Sequence, residues 1–210
     1  MLTRRKVLWG VPLVTAAALA GGSSVAWAEA LPVLTETEIE GIVFMREEEK
    51  LARDVYAVLY ERWQTPVFRT IGSSEVSHMA AMKTLLDRYG VEDPAATRPA
   101  GVFQNRTLQR LYDDLVVAGQ ESRVAALKAG TAVEEIDILD LEERLGQTDE
   151  SPIQRVYGNL LNGSHNHLRA FARQLSQISG EPFVPQYMDQ ATVDEILAQR
   201  SGHSRRRGGR

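Results

Sequence analysis

Two helical stripes of this 210-residue chain carry charged and polar side chains at positions where apolar ones belong. The series Ile71, Glu75, His78, Met82, Leu85 and Tyr89 steps by four and three residues in turn, so its members share one helix face. Tyr157, Leu160, Ser164, His167 and Phe171 repeat that stepping further along. A bare carboxylate in such a seam is costly unless it gains a partner or a proton. Any fold open to this chain must bring those polar groups to something that satisfies them.

The surrounding pattern is helical throughout. Thr35 and Glu38 have the spacing of a capping box, and the helix they open reads to about residue 63, before Pro66 interrupts. A second helix is expected over residues 68–89, closed by Gly90, followed by a Pro- and Gly-containing loop to residue 105. Helical pattern returns over residues 107–118, breaks at Gly119 and resumes over 121–145. Ser151-Pro152 reads as an N-cap with Pro in the first helical position, opening a helix to Ser179, and a short helix is expected over 192–199. No run alternates with period two for long enough to suggest a sheet. The expected class is all-α, four long helices with shorter pieces.

The first helix adds Glu47-Glu48-Glu49. Helical projection sends Glu47 outward, while Glu48 and Glu49 flank the face of Met45, Ala52, Tyr56 and Leu59, and periodicity leaves the choice between them open. The third long helix supplies Glu134 and Asp137, with Gly130 one turn earlier, where a neighbouring helix can approach closely. The inward polar set is therefore Glu49 or Glu48 with Glu75, His78, Glu134, Asp137 and His167. The chain has no Cys, which excludes disulfides, thiolate metal sites and Cys nucleophiles, so a metal here must sit on Asp, Glu and His. About four carboxylates and two imidazoles are the inventory of a dinuclear iron or manganese site in a bundle.

Glu49-x-x-Ala52-Arg53-x-x-Tyr56, Glu75-x-x-His78, Glu134-x-x-Asp137 and His167, in that order, resemble the ferritin-like superfamily, nearest its rubrerythrin-type branch. Residues 46–56, with Glu134-Glu135-Ile136-Asp137 and Gly163-Ser164-x-Asn166-His167-Leu168, are similar to the bacterial domain-of-unknown-function family 2202. The resemblance covers about residues 35–180 and implies a ferritin-like antiparallel four-helix bundle with extra short helices. It favours Glu49 over Glu48, because Tyr56 then stands two turns after the first-helix ligand. It further implies that Glu75 bridges or chelates, that His78 and His167 each cap one metal, and that Glu134 is the third-helix ligand. The chain departs from the pattern at Ser164, where a dinuclear site has Glu, and Asp137 is the candidate replacement.

Both ends differ from this body. Residues 1–28 read as a signal peptide: Arg4, Arg5 and Lys6, then an apolar stretch, then Ala26-Trp27-Ala28 in the small-x-small form of a cleavage site. The opening also resembles a twin-arginine signal, a general secretory signal being the alternative, so the expected location is exported, periplasmic or extracellular. Residues 200–210, with five Arg and no acid, read as a disordered tail. The net charge of −4 hides a domain over residues 29–199 of about −12, so no nucleic-acid partner is expected.

Three functions follow. The first is a di-metal oxidoreductase whose iron or manganese meets oxygen or peroxide as a small oxidant. The second is metal binding without turnover, mono- or dinuclear. The third is a metal-free helical protein of the envelope, its Glu75 and His78 satisfied by a hydrogen-bonded network with Arg46, Arg53, Tyr56 and Ser164. A homodimer stays open in each case. No phosphate loop or nucleophile elbow stands out.

Overall fold

A computed structural model describes residues 33–199; the expected leader (1–28) and Arg-rich tail (200–210) lie outside the described residues. Six helices and no strand occur among those residues: α1 (Glu36–Trp63), α2 (Pro66–Tyr89), α3 (Arg106–Gly119), α4 (Arg123–Leu145), α5 (Ser151–Ser179) and α6 (Gln190–Ala198). None is long and apolar enough to cross a membrane.

Local chemistry explains most boundaries. Thr35 and Glu38 form the capping box, the Glu38 amide donating to Thr35 Oγ1 and the Thr35 amide to Glu38 Oε2. Pro66 does not merely interrupt: it is the first residue of α2, where its missing N–H removes nothing, so α1 and α2 are joined by only two residues. Gln64 closes α1 in the left-handed region (φ 51°), and Gly90 (φ 66°) and Gly180 (φ 76°) close α2 and α5. Asn105 and Ser122 cap α3 and α4 through their side chains. At α5 the expected cap is displaced by one residue. Glu150 takes the cap position with no side-chain bond, and Ser151 and Pro152 lie inside the helix.

The four long helices form a ring in which every neighbour is antiparallel. On α1 and α2, Glu49 faces His78 and Tyr56 lies beside Gly72; on α4 and α5, Gly130 faces Phe171 and Asp137 faces Ser164. Gly41 lies beside Arg144 and Tyr56 bonds Glu134 across α1 and α4, while Ser74 bonds His167 and Gly163 abuts His78 across α2 and α5. Opposite α1 in the ring, α5 runs parallel to it, with Gly41 at Tyr157 and Tyr56 at Phe171. The chain crosses between the two hairpins through residues 90–105 and α3.

Two apolar layers fill the ring. One holds Ile42, Met45, Met82, Leu85, Leu141, Ile153, Tyr157 and Leu160. The other holds Val55, Tyr56, Leu59, Phe68, Ile71, Val133, Leu168 and Phe171. In the second, Tyr56, Phe68 and Phe171 pack with centroids 5.1 to 6.1 Å apart. Gly130 makes room for this: a Cβ there would come within 2.7 Å of the Phe171 ring, so the close approach expected at Gly130 is observed. Between the layers, at mid-height on all four helices, lie Glu48, Glu49, Glu75, His78, Glu134, Asp137, Ser164 and His167.

Glu47 corrects the projection. It is 1% exposed, and its carboxylate accepts the amides of Gln104 and Asn105 at 2.5 and 2.8 Å. The crossing segment folds over the outer face of α1, burying a side that periodicity assigns to solvent. Lys50 and Asp54 hold the same segment: Lys50 Nζ donates to Asp54 (2.7 Å), Pro99 O and Val102 O, and Asp54 accepts the Gly101 amide.

Candidate metal centre

Glu75 is the centre of the polar layer. One of its oxygens lies 2.7 Å from His78 Nδ1, one turn along α2, and the other 2.9 Å from His167 Nδ1 on α5. Each imidazole also faces a second acid: His78 Nδ1 is 3.2 Å from Glu49 Oε2, and His167 Nδ1 is 3.5 Å from Glu134 Oε2. The arrangement is thus a file, Glu49–His78–Glu75–His167–Glu134, drawn from all four helices.

The donors of Glu75, His78 and His167 all lie within 4.8 Å of one another, so this group can hold a metal ion. Several atoms in this group and beside it are buried with no hydrogen-bond partner: Glu75 Oε1 and His167 Nδ1 within it, Glu49 Oε1 and Asp137 Oδ1 around it. Glu75 Oε1 and His167 Nδ1 are close but out of line for a hydrogen bond. Once the imidazole gives up its proton, the two atoms can share a cation.

Surrounding groups set the orientation of these side chains. Ser74 Oγ lies 3.1 Å from His167 Nε2, leaving Nδ1 for the centre. Tyr56 donates its hydroxyl to Glu134 Oε1 at 2.5 Å. A Cβ at Gly163 would fall 2.6 Å from the His78 ring, so the absence of one gives that ring its place. Ser164 Oγ donates to Asp137 Oδ2 at 2.5 Å.

The charges do not cancel. Among the described residues no Lys or Arg pairs with Glu48, Glu49, Glu75, Glu134 or Asp137; Arg46 is bound to Asp93 and the Met79 carbonyl, and Arg53 to Asp54. Of the network weighed as a metal-free alternative, Tyr56 and Ser164 take part and the two arginines do not. Burial and the charges of Asp137 and Glu75 push the Glu49 carboxyl well up, and burial with Asp137 and Asp140 does the same to Glu48. Burial and Glu134 raise Asp137 to about 8 against the pull of Ser164. Burial raises Glu134 too, with His167 opposing. Burial would also raise Glu75, but His167 and His78 outweigh it and hold it at about 2. In return the acids raise His78, and carry His167 to about 10, each against burial. Without a metal, the centre needs protons where a cation would serve.

All six residues singled out in the sequence, Glu49, Glu75, His78, Glu134, Asp137 and His167, therefore lie in one layer. The file uses five of them; Asp137 sits beside it, held by Ser164. Glu48 is buried as deeply as Glu49 but turns toward Asp137 and Asp140. Sequence reasoning passed over Ser74 and Asp140, and took Gly163 only as part of the family wording, with no role. Ser74 is one turn before His78, which is signal enough to place it near the seam; nothing local marks Gly163 as the seat of a ring from another helix.

Residues 38–200 match the family described as "Uncharacterized protein domain (DUF2202)". The chain is 46% identical over 165 residues to "Uncharacterized protein MJ0754" of Methanocaldococcus jannaschii, a match covering 79% of this chain and 89% of that protein. It is also similar to the crystal structure of hypothetical protein MJ0754 from Methanococcus jannaschii DSM 2661, with a TM-score of 0.78, 44% identity, and coverage of 82% of this chain and 99% of that one. On sequence and fold together, the chain belongs to the DUF2202 family.

Proposed function

We propose that this protein is an exported, ferritin-like, rubrerythrin-type protein that binds iron or manganese in its polar layer and acts there as an oxidoreductase on oxygen or peroxide. The observation that carries the reading is the imbalance of the layer: it holds four buried carboxylates around two imidazoles, Glu49, Glu75, Glu134 and Asp137, with no Lys or Arg among their partners in the described residues. A divalent cation satisfies that set with hard oxygen and imidazole donors, the combination suited to iron and manganese.

Glu49 and His78 would hold one position, Glu134 and His167 a second, and Glu75 would serve both through its two oxygens. When bound, the metal supplies the electrons that reduce the oxidant. The chain's own part is to hold Glu134 through Tyr56, keep His167 Nδ1 inward through Ser74, and exclude bulk water with an apolar layer on each side.

One observation favours a second reading, a single ion without turnover. Ser164 stands where a second bridging acid would be, and the acid it binds, Asp137, is directed to Ser164 through one oxygen. Metal analysis of the mature protein purified after export tests both. The first reading expects about two ions per chain and a spectral change on adding peroxide; one ion and no change selects the second. Both require that Glu75→Ala and His78→Ala abolish binding. Metal-free protein from metal-replete cells would sink both.

A further inference from the structure

Glu48 has no role in the centre just described, yet it is 2% exposed and neither of its carboxylate oxygens has a hydrogen-bond partner. The other buried acids outside the centre have evident structural work. Glu47 accepts two backbone amides, and Glu135 accepts those of Gln186, Tyr187 and Met188. Glu48 accepts nothing. The groups that bear on it are also acids, with no proton to give when ionised: Asp137 and Asp140 from α4, Asp140 within hydrogen-bonding reach, and Glu49 beside it.

Those α4 acids belong to a longer series. Glu134, Asp137, Asp140 and Glu143 recur at three-residue steps, about 4.5 Å of rise and about 60° of turn each, so the series winds from the core face of α4 at Glu134 to its solvent face at Glu143. The inner end of the series reaches the centre through Glu134 and His167. Asp140 is half-buried and Glu143 is exposed, so the outer end meets solvent. Basic groups are directed elsewhere. Lys50 and Arg53 are on Asp54, and Arg46 is on Asp93. Arg144, the one cation bearing on Asp140, lies over the Phe44 ring and donates to Gln147.

We propose that Glu143, Asp140, Glu48 and Asp137 form the path by which divalent cations pass from the surface to the Glu75–His78–His167 centre. This rests on the metal-binding reading above. A run of like charge leading inward from the surface concentrates counter-ions and speeds their arrival. Among the described residues only the donors of Glu75, His78 and His167 gather within 4.8 Å of one another. No three acids of the series gather that closely, which suits passing an ion along rather than retaining it. Glu48, unpartnered and sealed from solvent, is the step between rim and centre.

The test is the rate at which metal-free mature protein takes up manganous ion, followed by loss of the EPR signal of the aqua ion. Asp140→Asn and Glu48→Gln are expected to slow uptake about tenfold. Final stoichiometry and Kd should stay within about twofold of wild type, so release to a chelator slows in proportion, since a path lowers the barrier in both directions. Glu61→Gln, an exposed acid toward the far end of α1, should load at the wild-type rate. Wild-type rates in both path variants would overturn the path and leave the metal reading standing. So would a loss of stoichiometry in Glu48→Gln, which would make Glu48 a ligand. A wild-type protein that takes up no manganese would overturn both.

Discussion

Ser164 donates its hydroxyl to Asp137 across the α4–α5 interface at 2.5 Å, so a buried acid of one helix is held by the hydroxyl of the next. Ser164→Ala leaves a buried carboxyl oxygen without its donor. The expected loss is about 1–3 kcal/mol of unfolding free energy in the metal-free protein, read from urea denaturation. An unchanged midpoint would mean that Asp137 finds another partner.

Gly163→Ala separates site geometry from fold. The added methyl falls within 2.6 Å of the His78 ring, which has to shift away from Glu75. Ala in place of Gly in a helix interior gains up to about 1 kcal/mol in propensity, so the helix itself is not weakened. The expected result is a Tm near wild type with metal affinity reduced roughly 10- to 100-fold, measured by competition with a chelator.

Metal-free protein should lose stability as the pH rises through neutrality. Asp137, raised to about 8 from 3.8, and His167, raised to about 10 from 6.5, each keep a proton in the native state that the unfolded chain has released. Their stabilisation is fully present below the unfolded values and disappears as pH climbs through the folded ones. Glu75, held at about 2 against 4.5, acts in the other direction, its contribution being lost only as pH falls below about 4. Calorimetry of chelated protein should show Tm falling steadily from about pH 5 to pH 9. Added metal should raise Tm more at the alkaline end, because its ligands must shed those protons. A metal-free Tm that rises over that interval would contradict this charge assignment.

Lys50→Met tests the clamp over α1. Lys50 is buried on Asp54 and two carbonyls of the crossing segment. Removing one member of a buried pair typically costs 3–5 kcal/mol, and about 3 is expected here because Arg53 stays on Asp54. Hydrogen exchange should rise in residues 99–103 before it rises in the polar layer.

The sequence was most informative where one helix alone decides the outcome. Four-and-three stepping puts Glu75 and His78 on one side of α2, and Ser164 and His167 on one side of α5, whatever those helices pack against. It failed at Glu47, because the cover over that side of α1 comes from residues more than fifty positions away. It could not choose between Glu48 and Glu49, and the structure shows why: both point inward, toward different neighbours on α4 and α2. Gly163 carries no sign of its purpose in its own helix, since the ring it accommodates belongs to α2.

The polar layer between two apolar ones also settles how the helices are aligned lengthwise. Sliding any long helix by one turn, about 5.4 Å, would set Met82, Leu141 or Leu160 against carboxylates and move an acid or imidazole into an apolar layer. Leu-rich seams alone tolerate such slips, because one aliphatic side chain replaces another with little loss. Here each misaligned bundle strands a charge, so the layer that lowers the stability of the native state lowers that of its closest competitors further.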